Sequence, residues 1–145
     1  MLSQKARYAL RAMLHLAAKP KDEPQQTADI ADAAGVPRKF LEQILLDLKR
    51  RGLVYSVRGR NGGYQLGRDP KDIEFAEIIR IIDGPLALSP CASRTAYRRC
   101  DDCTDEATCA IRKALIDVRN ATAKILERHS LSDALADRRK MKPAA

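Results

Sequence analysis

The sequence has no tryptophan, and aromatic residues make up only 4% of it. Proteins that hold single-stranded nucleic acid stack its bases on aromatic side chains, and a chain this poor in rings is not built for that. Histidine is nearly as scarce, with only His15 and His129 present. No nucleophile–base or acid–base constellation is visible either, so the chain does not read as an enzyme. Long apolar runs are missing as well. No stretch approaches the roughly 18 residues that a membrane span needs. Arg7 and Arg11 interrupt the apolar residues near the start, so no signal-peptide core is expected. These absences point to a cytoplasmic protein with no membrane partner.

What the sequence does have is positive charge. Its 145 residues carry 27 Lys and Arg against 19 Asp and Glu, a formal net charge of +8 and a pI of about 9.6. That length suits one domain with a proper core, or a small domain with an appendage, and that charge suits a polyanion. The charge is uneven. Residues 1–72 hold 14 basic and 8 acidic side chains, and residues 73–145 hold 13 and 11. The excess is sharpest over residues 38–60, where Arg38, Lys39, Lys49, Arg50, Arg51, Arg58 and Arg60 face only Glu42 and Asp47. A solvated helix face is the plain alternative to a binding surface there.

Hydrophobic spacing predicts a helix over 3–18, with Ser3 as its cap and Ala6, Leu10, Met13, Leu14 and Ala17 on one face. A short helix follows, TADIADAAG, capped by Thr27 and closed by Gly35. Val36-Pro37 opens a third, with proline in its first turn and an apolar stripe of Phe40, Leu41, Ile44, Leu45 and Leu48. Two short helices around a glycine-containing turn form a helix-turn-helix pattern. The runs LVYSVRG and GYQLG then read as strands flanking the basic turn RGRNGG, which is the hairpin of a winged helix. Such a unit suits duplex DNA. Arg38, Lys39, Glu42 and Gln43 would meet base edges and phosphates in the major groove. Arg58, Gly59, Arg60, Asn61 and Gly62 would carry the wing to a minor groove or its phosphates. A plain hairpin turn is the other reading of the glycines.

Residues 73–83 predict another amphipathic helix, ended by Gly84-Pro85, and residues 85–103 show no periodicity. From Thr104 to Arg128 one long helix is expected. Ile111, Leu115, Val118, Thr122 and Ile125 form a coiled-coil-like seam on it. A second copy of the chain is the natural cover for that seam, and packing on the winged helix is the alternative. Ser130–Arg139 predicts a short last helix, and KMKPAA a frayed tail. The organisation expected is a mainly α chain with a small β wing. Residues 1–72 would be the DNA-binding domain, 73–103 a connecting helix and cysteine-bearing loop, and 104–145 the dimerisation helix and tail.

All four cysteines, Cys91, Cys100, Cys103 and Cys109, lie within 19 residues. In a reducing cytoplasm such a cluster reads as metal ligands or redox-sensing thiols rather than structural disulfides. Only one C-x₂-C is present, so the pattern is not that of a paired zinc knuckle. Irregularly spaced thiolates on a loop suit an iron–sulfur cluster, of either the 2Fe–2S or the 4Fe–4S type. Zinc and metal-free thiol switching are the alternatives. Arg94, Arg98 and Arg99 would favour thiolate and offset the negative charge of a four-cysteine cluster.

The segments SQKARYALRAMLHLA and FLEQIL…LKRRGLVYSVRGRNGGYQL, with the cysteine cluster, long helix and HSLSDAL that follow, resemble the Rrf-two family of winged-helix transcription regulators (the IscR, NsrR and RirA group). The RG-x-x-GGY-x-L segment after L-x-x-x-GLV is the most specific piece, and the resemblance covers nearly the whole chain. It implies a homodimer with crossed long helices, a palindromic double-stranded operator, and a cluster near the partner's DNA-binding domain. Cys91, Cys103 and Cys109 match the family's three cysteines, with a longer first interval, and Cys100 is additional. Some members take a fourth ligand from an acidic residue of the first helix, where this chain has Tyr8 flanked by Arg7. IscR-like members use a histidine three residues after the last cysteine, where this chain has Arg112. Cys100 is therefore the candidate fourth ligand. Pro37 and Phe40 replace the family's usual Ser and Tyr at the recognition helix, so the operator sequence does not carry over. Family members without a cluster imply two further readings: a cluster-free thiol or zinc regulator, and a regulator of the same fold that binds a protein.

Overall fold

A computed structural model of the chain describes residues 1–141 and Pro143. Lys142, Ala144 and Ala145, part of the tail expected to fray, lie outside the described residues. Helix α1 (Gln4–Ala17) starts where the Ser3 hydroxyl accepts the Ala6 N–H at 3.0 Å, satisfying one of the donors a helix start leaves open. Ser3 is itself held by Asp83, which accepts its backbone N–H at 2.9 Å and also its hydroxyl. Ala6, Ala9, Ala12, Met13 and Leu16 are buried, and this narrow face lets four other helices crowd α1.

Helix α2 (Thr27–Ala34) ends at Gly35 as expected, but Thr27 is its first helical residue and not its cap. Gln26 occupies the cap position without a side-chain bond. Pro37 likewise sits just outside α3 (Arg38–Arg50), at the cap. Leu41, Ile44, Leu45 and Leu48 of α3 are buried. Phe40, expected on that stripe, is 54% exposed. It lies at the edge of the apolar face, where its ring meets Tyr8 of α1 at 6.0 Å between centroids.

Strands β1 (Val54–Val57) and β2 (Gly63–Leu66) pair antiparallel, Val54 with Leu66 and Val57 with Gly63. Tyr64 also exchanges two 2.8 Å backbone hydrogen bonds with Gln25, which ties the base of the hairpin to the loop before α2. Gly63 permits this approach, because a Cβ there would stand 2.2 Å from the Gln25 carbonyl oxygen. Helix α4 (Phe75–Asp83) follows and packs on α1. Residues 84–109 then form a strap whose one helical feature is a 3₁₀ turn at Pro90–Ala92.

The long helix α5 runs from Ala110 to Arg128, six residues shorter at its start than its spacing suggested. Asp105 accepts the Ala107 N–H and the Thr108 hydroxyl, both at 3.0 Å, and this local turn competes with helix. Cys109 then caps α5, its sulfur accepting the Arg112 N–H at 3.4 Å. Helix α6 (Leu131–Lys140) begins at a reciprocal box in which Ser130 and Asp133 each accept the other's backbone N–H. These bonds hold the Asp133 carboxyl below its ordinary pKa.

The chain returns to its winged helix here. Phe75 N–H donates to the His129 carbonyl at 2.8 Å and Leu131 N–H to Ile73 at 3.0 Å, and Leu131 is fully buried in the common core with Met13, Ile30, Leu45, Leu53 and Ile78. By contrast α5 has no buried residue. Ile111, Val118 and Ile125 of its seam are 74%, 45% and 60% exposed. Among the described residues, no helix is long and apolar enough to cross a membrane.

Candidate nucleic-acid interface and cysteine loop

Arg38, Lys39, Glu42 and Gln43 are all exposed on the first turns of α3, while Leu41, Ile44 and Leu45 anchor the opposite face. Arg38 and Glu42 lie 3.6 Å apart. Gln43 is held more firmly. Its Nε2 donates to Asp47 at 3.0 Å, and Asp47 in turn accepts Lys5 Nζ of α1 at 2.8 Å and lies 3.6 Å from Arg50. The Lys5 hydrogen bond, more than any other influence, keeps the Asp47 carboxyl below its ordinary pKa. One carboxylate thus fixes α3 against α1 and orients the amide, leaving Gln43 Oε1 as the acceptor to offer outward. Lys5 and Asp47 were not singled out from the sequence, because they are 42 residues apart in the chain. The only trace there is that Asp47 is one of two acids in a basic segment.

The wing brings Arg58, Gly59, Arg60 and Asn61 together at an exposed tip. Among the described residues no ion pair engages Lys39, Arg58 or Arg60, so their charge faces solvent. Gly62 differs. It is buried, and a Cβ on it would stand 2.1 Å from the Val57 carbonyl oxygen. The hairpin itself requires glycine at 62, whatever the tip touches.

The four cysteines lie along the strap. Cys91 is buried in the 3₁₀ turn, Cys100 is exposed, and Cys103 and Cys109 are half-buried. Ser89 Oγ lies 3.3 Å from the Cys91 sulfur. The neighbouring Cys91 thiol is the chief influence that pushes the Cys100 thiol's pKa up. Cys100 and Cys103 close a turn through a 3.2 Å backbone bond, over which Arg99 donates to the carbonyls of Cys103 and Thr104 at 3.2 and 3.4 Å. Among the described residues, no three His, Cys, Asp or Glu side chains converge as a metal-binding group. The single chain therefore spreads its four free cysteines along the strap without gathering three of them at one point.

The winged helix, its basic face and this strap are matched along residues 2–137 by the Rrf2 family, described as an iron-dependent transcriptional regulator. The chain belongs to the Rrf2 family. It is 48% identical over 139 residues to an rrf2-like HTH-type transcriptional regulator of Rhodobacter capsulatus, covering 94% of this chain and 93% of that one. Among solved structures, CymR, the global cysteine regulator of B. subtilis, is similar with a TM-score of 0.77 and 32% identity, over 94% of this chain and 96% of CymR. IscR of T. potens is similar with a TM-score of 0.79 and 28% identity, over all of this chain and 93% of IscR. As an Rrf2 protein the chain is a DNA-binding transcription regulator and not an enzyme.

Proposed function

We propose that the chain is a cytoplasmic, homodimeric regulator of a palindromic operator, with an iron–sulfur cluster held by Cys91, Cys100, Cys103 and Cys109 setting its DNA affinity. The observation that carries the sensing half is the donor set: four thiols, and no competing imidazole, in one strap that hydrogen-bonds directly to α5. Thiolates are the ligands such clusters take, so the residues fit the group in kind. When bound, it supplies a redox-sensitive cross-link among the four sulfurs. The chain's own part is to gather the four sulfurs of the strap, with Arg94, Arg98 and Arg99 offsetting negative charge.

The exposed seam of α5 supports the dimer, since an apolar row of this kind is covered by a second copy in coiled-coil fashion. DNA contact is assigned to Arg38, Lys39 and Gln43 of α3 and to Arg58, Gly59, Arg60 and Asn61 of the wing, with buried Gly62 shaping the turn that presents them. The four free thiols on one strap favour a second reading, in which the same strap acts as a metal-free thiol switch. Anaerobic purification separates the two. Visible absorption with stoichiometric iron and sulfide, lost in Cys103→Ser, supports the cluster. A colourless protein whose operator affinity responds to oxidant supports the thiol reading, and metal-bound protein with zinc alone rejects both.

A further inference from the structure

Two arginines of the long helix hold the strap at its 3₁₀ turn. Arg112 Nε donates to the Cys91 carbonyl at 3.0 Å, and Arg119 Nη1 donates to the adjacent Ala92 carbonyl at 2.6 Å. The two arginines are seven residues apart, two turns along one side of α5. Each is itself fixed. The backbone N–H of Arg112 donates to the Cys109 sulfur, so residue 112 touches two of the four cysteines. Arg119 Nε and Nη2 donate to Asn120 Oδ1 at 3.1 and 2.7 Å, and Arg94 of the strap donates to the same oxygen at 3.3 Å. Cys91 and Ala92 are buried, while α5 buries nothing of its own. The strap segment that carries Cys91 packs on α5 and is held there in register by these guanidinium–carbonyl bonds.

We infer that Arg112 and Arg119 are positioning residues that couple the cysteine strap to α5, so that a change at Cys91 shifts the helix and not merely the loop. This rests on the regulatory reading above. A carbonyl acceptor carries no charge to exchange with solvent ions, and a guanidinium offers several donors in a rigid fork, so the pair keeps register as the strap moves. Lysine at 119 would keep the charge and an ammonium donor but lose the planar fork.

The test compares wild type, Arg119→Ala, Arg119→Lys and Arg112→Ala, each measured cluster-loaded and cluster-stripped, for affinity to a duplex from the protein's own promoter. The wild-type ratio of the two affinities is expected to fall toward one in Arg119→Ala and Arg112→Ala and to recover in part in Arg119→Lys, with absorption per chain unchanged. Amide hydrogen exchange of residues 89–95 in the metal-free chain should quicken at least tenfold in the alanine variants. A wild-type ratio other than one that persists in Arg119→Ala overturns the coupling alone, as does unchanged exchange at 89–95. Equal loss of both affinities, or lost absorption, assigns the arginines to structure and also overturns it. A wild-type ratio of one overturns the regulatory reading and the coupling with it.

Discussion

Arg60→Ala is the most direct test of the wing. Arg60 stands at the exposed hairpin tip, and among the described residues no acidic side chain pairs with it. Its removal should leave stability within about 0.5 kcal/mol of wild type, as for other exposed positions. Its effect on DNA is electrostatic. Each phosphate neutralised contributes about −0.9 to the slope of log K against log salt, so in the proposed dimer, which loses one contact from each of two copies, the slope flattens by about 1.8. Over a fourfold rise in salt, from about 50 to 200 mM, the wild type should therefore lose roughly 12-fold more affinity than the variant. Fluorescence anisotropy on a labelled duplex across that range measures this, and an unrelated duplex should give the same change in slope. Gly62→Ala is the control: it strains the turn against the Val57 carbonyl without altering charge. It should weaken binding at every salt concentration and leave the slope alone. An Arg60→Ala slope equal to that of wild type would remove the wing from the interface.

Gln43→Ala should narrow the difference between operator and unrelated duplex while sparing non-specific affinity, read in the same assay. Asp47→Ala should narrow it too, because it frees both Gln43 and the α1–α3 tie. Leu131→Ala empties a fully buried core position beneath α6 and should cost about 2–5 kcal/mol by urea denaturation. Two groups predict acid sensitivity. Burial first, and Lys19 second, hold His15 below its ordinary pKa, so the folded chain takes up this proton less readily than the unfolded one. Stability from this source is complete above about pH 6.5 and declines as pH falls from there toward the lowered folded value. Asp47, also lowered, contributes stability above about pH 4 that is lost as pH falls through its folded value. Urea midpoints between pH 7 and 5 should flatten in His15→Gln.

The parts of the fold that were legible are those where a local signal and a tertiary need coincide. The buried face of α3, the hairpin around RGRNGG and the stop at Gly84 are all written in adjacent residues. Phe40 shows the limit: one position at the edge of an apolar stripe decides between core and surface, and the choice was made by Tyr8, 32 residues away in the chain. The start of α5 was misjudged because Asp105 and Cys109 use their side chains to cap backbone N–H groups locally, which apolar periodicity does not register. The basic residues of α3 and the wing stood out by charge, but the roles of Asp47, Lys5 and Arg119 did not, since each acts through a partner distant in sequence. Arg112 stood out only as the residue in place of a family ligand, and its bond to the Cys91 carbonyl, 21 residues back, was not legible. The cysteines were legible as a group, while their spread along the strap was not.

The backbone bonds at Phe75–His129 and Ile73–Leu131 give α5 a fixed base at its C-terminal end. Its other end carries Cys109, and Arg112 and Arg119 bind the strap along the way. Nineteen residues at about 1.5 Å each make a rod of roughly 28 Å, so a tilt of about 5° at the base corresponds to about 2.5 Å at the far tip. A loop-sized displacement beside the cysteines is therefore equivalent to only a small angle at residues 129–131, next to the core that seats α1 and α3.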